Sequence, residues 1–127
     1  DTDFTAKLID VFPDGREMWI ADGILKTRFR DGFNQSTLMT PGQTYELQID
    51  LWSTAYRFVP GHQIRLSISS SNWNKFTINP NTEGPINATH PEDLRMEAEN
   101  FHIANNSVAC GIQGNLSCIY MPRTDLI

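Results

Sequence analysis

The stretch GHQIRLSISSSNWNKFTINPNT, residues 61–82, decides the fold, because a strong strand runs there directly into a polar loop that carries aromatic residues. From Gln63 to Ser70, Ile64, Leu66 and Ile68 alternate with Arg65, Ser67 and Ser69. That period-2 pattern is what a strand shows when one of its faces lies in a core. Pro60-Gly61 punctuates its start and Asn79-Pro80-Asn81-Thr82 closes the loop. For the loop two readings stand open: a surface turn that packs Trp73 and Phe76 over a sheet edge, or a ligand-contacting loop.

Working outward, Asp3 to Val11 reads as another strand, with Phe4, Ala6 and Leu8 on one face and Thr5 and Lys7 on the other. Pro13-Asp14-Gly15 turns it, since proline presets a turn's second position and glycine tolerates the left-handed region. A strand from Glu17 to Ala21 puts Met18 and Ile20 on one face and Trp19 opposite. Asp22-Gly23 predicts a bulge or turn before a third strand lined by Leu25, Thr27 and Phe29. Asp31 to Thr37 reads as a polar loop. The clearest alternation follows Pro41-Gly42, where Tyr45, Leu47, Ile49 and Leu51 oppose Glu46, Gln48, Asp50 and Trp52. Further strands are expected near Met96 to Ile103 and Ser117 to Met121, with a helical turn open to Pro91–Ala98. No segment of ten or more residues carries a 3.6-residue apolar repeat, so the fold class is all-β, with turn signals spaced as in a sandwich.

Four segments in order carry a family resemblance: DTDFTAKLIDVFPDG (1–15), WIADGILKTRFRDG (19–32), PGQTYELQIDLWSTAYRFVPGH (41–62) and SSSNWNKFTINPNT (69–82). Together they resemble the C-terminal, non-catalytic β-sandwich domain of the X-Pro dipeptidyl-peptidase and cocaine-esterase-like serine hydrolases. Past Thr82 the likeness thins to His102 and the closing Cys118-Ile119-Tyr120-Met121-Pro122. The resemblance implies a galactose-binding-like jelly roll, with the nucleophilic serine, its histidine and its aspartate in another domain, and therefore no hydrolytic activity here. It also implies that this chain starts within its sandwich, which is then incomplete. A jelly roll short of a strand exposes an unpaired edge, so the expected partner is a second polypeptide chain that supplies missing strands. The chain begins with Asp1 rather than Met, which points to a mature product or an excised fragment.

With 127 residues the sequence is read as a single β-sandwich domain, 1–127, or the C-terminal portion of one. A net charge of −5 excludes a non-specific nucleic-acid binder. No run of 18 or more apolar residues is present to span a membrane as a helix. Cys110 and Cys118 flank a loop with two glycines, and a disulfide there would contribute about 2 to 3 kcal/mol by chain entropy. Two free thiols are the alternative, and a zinc site lacks the further cysteines it needs. Asn34, Asn87, Asn105 and Asn115 each open an Asn-x-Ser/Thr sequon. Ten asparagines among 19 Ser and Thr give about 1.5 sequons by chance. With the cysteines, the excess favours a secreted, glycosylated protein.

Candidate chemistry is sparse. No Gly-x-Ser-x-Gly elbow occurs; Ser69, Ser70 and Ser71 with His62 or His102 are the nearest approach to a triad, and strand-end serines more often satisfy local backbone groups. His90-Pro91-Glu92-Asp93 has no known metal-ligand spacing and reads as solvated charge. No cofactor is expected; Asp22, Asp31, Asp50 and Glu46 are the oxygens a structural calcium ion would take. A sugar site needs an aromatic face and polar groups for the hydroxyls. Asn72, Trp73 and Asn74 offer that set on one loop, with Trp19, Asp22 and His62 as neighbours, so a carbohydrate ligand is the alternative partner. Two functions result: a non-catalytic interaction module associated with another chain, or a secreted lectin for galactose-type sugars.

Overall fold

The computed structural model describes residues 1–84, 101–110 and 117–122. The Pro91–Ala98 turn, most of the strand expected near Met96, the His90–Asp93 group, Asn87 and Asn115 lie outside the described residues. The described chain is all-β, apart from one 3-10 turn: β1 (Asp3–Val11), β2 (Glu17–Lys26), the turn at Thr27–Phe29, and β3 (Gln63–Ser69). They form one antiparallel sheet in the order β2-β1-β3.

The central position of β1 follows from its composition. Phe4, Ala6, Leu8 and Val11 are buried, and so are the polar Asp3, Thr5 and Asp10, because a middle strand has neighbours on both sides. Opposite Phe4, Ala6, Leu8 and Asp10 stand Leu25, Gly23, Ala21 and Met18 on β2, and on β3 Ala6, Leu8 and Asp10 meet Ile68, Leu66 and Ile64. This is the apolar face. The other face carries Asp3, Thr5 and Lys7 against Lys26, Ile24 and Asp22, with Ser69 and Ser67 on the far side. The β1–β2 turn forms as the sequence predicts: the Gly15 amide donates to the Phe12 carbonyl at 2.9 Å, with Gly15 at φ +84°.

Three expectations are corrected. The separate third strand at Leu25–Phe29 does not form. Instead β2 continues through Asp22-Gly23 to Lys26; the Thr27 amide and hydroxyl still donate to the Thr2 carbonyl, at 3.1 and 2.7 Å, and the chain then turns at Thr27–Phe29, where the Arg30 amide donates to the Thr27 carbonyl at 3.2 Å. The irregularity falls earlier, opposite Leu8/Ile9, where Ile20 is the extra residue and Trp19 pairs with Ile9. The second concerns the region around Tyr45–Leu51, which enters no ladder among the described residues, although its burial alternates as expected: 45, 47, 49 and 51 are half-buried and 46, 48, 50 and 52 exposed. It lies against the apolar face at Gly23, where a side-chain carbon would collide with the Asp50 carbonyl oxygen and sit 3.3 Å from Ile49 Cγ2. The alternation ends at Trp52, which takes a left-handed φ of +64° while its amide donates to Asp50 Oδ1 at 2.7 Å. Residues 117–122 are likewise irregular. The architecture is therefore an incomplete all-β sandwich: one paired sheet, and an extended segment laid over it without strand partners in the described chain.

Candidate functional site

The extra residue in β2 brings Trp19 onto the polar face with Asp22. There the loop after β3 reaches back. Asn72 is buried and its Nδ2 donates to Asp22 Oδ2 at 3.1 Å; Lys75 Nζ donates to Asp22 Oδ1 at 2.5 Å. The loop is pinned by the Lys75 and Phe76 amides, both donating to the Asn72 carbonyl at 3.0 Å. Lys75 Nζ lies 5.5 Å from the centre of the Trp19 ring and 5.4 Å from that of Phe76, and Lys7 Nζ lies 5.0 Å from Trp19, within range of cation–π attraction. Of the six residues expected in a sugar site, Trp19, Asp22 and Asn72 thus come together. Trp73 and Asn74 follow on the same loop and are exposed, Trp73 at 68%.

His62 is not with them. It lies on the opposite face of the sheet, where its Nδ1 is 2.8 Å from Asp10 Oδ2 and its ring packs 4.4 Å from that of Phe12. The Tyr56 hydroxyl donates to the same carboxylate oxygen at 2.7 Å, while Asp10 Oδ1 is buried without a protein partner among the described residues. Burial raises the Asp10 carboxyl, but the hydrogen bonds from Tyr56 and His62 and the histidine's charge outweigh it and hold the group below its usual value. Tyr56 is pushed up in turn, by its bond to Asp10 first and then by burial and the nearby charge.

A third polar cluster closes the open end of the sheet, and the sequence reading missed it. Arg28 Nε donates to Asp1 Oδ2 at 2.9 Å, and its two terminal nitrogens donate to the Gly84 and Thr82 carbonyls at 2.9 and 2.8 Å. Asn79 Nδ2 bonds Asp1 Oδ2 at 2.8 Å and Asp3 Oδ1 at 2.6 Å, and Lys26 Nζ takes the other Asp3 oxygen at 3.0 Å. Arg28 is buried in this cluster. The signal was the pairing of Asp1-Thr2-Asp3 with Asn79-Pro80-Asn81, polar residues too dense for ordinary turns.

Most of the side chains weighed as catalytic or calcium-binding candidates are engaged in other contacts among the described residues. Ser69 Oγ is 2.8 Å from Thr5 Oγ1 and donates to the Ser71 carbonyl at 2.8 Å, a backbone-satisfying role remote from His62. No three His, Cys, Asp or Glu side chains converge there to hold a metal ion. Of the expected calcium ligands, Asp22 is taken by Asn72 and Lys75, Asp50 by the Trp52 amide, and Asp31 pairs with Arg30 at 3.6 Å. Cys110 and Cys118 are exposed free thiols, so the expected disulfide is not formed in this structure. Asn34 and Asn105 are both exposed.

The model of the X-Pro dipeptidyl-peptidase C-terminal non-catalytic domain matches residues 1–110. The cocaine esterase of Rhodococcus sp. (strain MB1 Bresler) is 44% identical over 102 residues, covering 80% of this chain and 18% of that protein. Proteins of Mycobacterium bovis and Mycobacterium tuberculosis, each named as a candidate serine esterase, are 32% identical over 97 residues, covering 63% of this chain and 15% of theirs. The chain thus spans less than a fifth of the length of these curated relatives. The match runs through β1, β2, the extended segment and β3 alike, and on that basis the chain belongs to the family of X-Pro dipeptidyl-peptidase C-terminal non-catalytic domains.

Proposed function

We propose that this chain is the non-catalytic interaction module of a serine esterase, without hydrolytic activity of its own. Its sandwich is completed by strands from polypeptide beyond residues 1–127, supplied by a second chain. The observation that carries this reading is the segment around Tyr45–Leu51: it alternates like a strand, lies over the apolar face, and has no ladder partner in the described chain. Supporting it, β3 is an edge whose Ile64 is 48% exposed, where a further strand would bury it. Trp52 and Trp73 stand in solvent, aromatic area of the kind that anchors one domain on another. Exposed Asn34 and Asn105 support a secreted glycoprotein, and treatment with peptide N-glycosidase is expected to lower the mass of native material. Intact mass and peptide mapping of that material test the main reading. An accompanying strand-donating or esterase polypeptide is the expected result; a stable, folded monomer of this sequence alone overturns it.

A second reading, a lectin for galactose-type sugars, draws on the exposed Trp73 ring beside the Asn72–Asp22 pair. It expects glycan-array binding that Trp73→Ala abolishes; binding unchanged by that substitution removes the site.

A further inference from the structure

The run from Trp52 to Arg57 lies between the Tyr45–Leu51 segment and β3, and every residue in it is exposed. It is nevertheless held at two points. The Trp52 amide donates to Asp50 Oδ1 at 2.7 Å, and the Tyr56 hydroxyl donates to the buried Asp10 carboxylate at 2.7 Å. The Tyr56 ring also stands edge-on to that of Phe58, with centres 5.1 Å apart. The run is thus fastened to the sheet, and what it presents to solvent is set by the fold.

Two of its residues are unfavourable as they stand, for independent reasons. Trp52 takes a φ of +64°, a left-handed conformation that bulky side chains rarely adopt, and it is 79% exposed. Glycine would make the same turn without that strain, and strained residues of this kind gather at clamps and contact sites. Arg57 stands apart by its charge. Every other lysine and arginine among the described residues pairs with a carboxylate, except Lys7, which lies over the Trp19 ring. Arg57 has neither kind of partner there, on a chain whose net charge is −5. Tryptophan and arginine are also the residue types that most often carry the binding energy of an interface.

We infer that Trp52 and Arg57 are the anchors on which the accompanying esterase polypeptide docks, its surface offering an apolar recess to the indole and a carboxylate to the guanidinium. This rests on the reading that polypeptide beyond residues 1–127 completes the sandwich, and adds to it the residues that meet that polypeptide and the chemistry that meets them. Continuity favours the same occupant: Trp52 directly follows the Tyr45–Leu51 segment, whose ladder partner that polypeptide supplies. The relatives carry most of their length outside the matched region, room enough for such a surface.

Hydroxyl-radical footprinting read by mass spectrometry tests this on the native material, with the isolated 127-residue chain as reference. No Lys or Arg lies between Arg30 and Arg57, so Trp52 falls in one tryptic peptide ending at Arg57. Oxidation of Trp52 is expected to be several-fold slower in the native material than in the isolated chain. Equal oxidation with a second polypeptide present overturns the anchor and leaves the association standing, whereas the absence of any further polypeptide overturns both. Two variants separate anchoring from folding. Trp52→Gly accepts the left-handed turn, so the isolated variant should melt no lower than the parent while its complex is weakened about thirtyfold or more. Arg57→Glu should likewise leave melting unchanged and weaken the complex. Unchanged affinity in both variants would overturn the proposal.

Discussion

At the scale of single residues, the sheet is held at its two ends by buried carboxylates that differ in how they are satisfied. Asp1 is bonded by Arg28 and Asn79 and Asp3 by Asn79 and Lys26, whereas Asp10 depends on Tyr56 and His62 through one oxygen. Arg28→Ala strands a buried carboxylate and two carbonyls, and is expected to cost about 3 kcal/mol or more in denaturant unfolding. A loss within the range of ordinary surface substitutions would show that water replaces the guanidinium. The Asp10 group gives a pH dependence whose sign is fixed. Its carboxyl titrates below the usual 3.8 in the fold, so its contribution is present above that pH and lost as pH falls through the lower folded value. Tyr56 is raised above 10.0, so its contribution is present below pH 10 and lost as pH rises through the higher folded value. Melting temperature against pH should therefore fall at both ends, and Tyr56→Phe should lessen the alkaline fall. An alkaline arm identical in the variant contradicts the assignment.

At the scale of elements, β1 and β3 were legible because strand alternation is a local property: Phe4-Ala6-Leu8 and Ile64-Leu66-Ile68 repeat with period 2 whatever their neighbours do. The course of β2 was not, since Asp22-Gly23 has the composition of a turn and only pairing with Lys7 and Ala6 keeps it extended. Its glycine is explained by tertiary contact rather than by a turn: the Asp50 carbonyl occupies the space of a side chain. Gly23→Ala is thus expected to cost about 1 to 3 kcal/mol, as overpacking against rigid backbone does, read from the denaturation midpoint. An unchanged midpoint would mean that the Tyr45–Leu51 region is not seated on β2. Leu8→Ala, in the middle of the buried strand, is expected to cost about 2 to 5 kcal/mol. Of the polar site, the proximity of Asn72 to Asp22 and Trp19 was anticipated. The separation of His62 was not, because it depends on which face of β1 each partner takes, and one extra residue in β2 resets that for Trp19.

At the scale of the whole molecule, the three paired strands and the unpaired segment are parts of a two-layer β structure that the described residues do not close. Among the described residues neither outer strand of the sheet has a further strand beside it, and backbone groups at such edges are ordinarily paired, covered or solvated. The family match spans these same elements, and the relatives extend far beyond the matched region. On the proposed reading, the strand partners of Tyr45–Leu51 and β3 come from polypeptide outside this sequence. Hydrogen exchange followed by mass spectrometry measures this directly, comparing residues 45–51 and 63–69 in the native material with the same residues in the isolated 127-residue chain. Strong protection of both segments in the native material, with rapid exchange of 45–51 in the isolated chain, is the predicted result. Equal protection of 45–51 in both samples would contradict it.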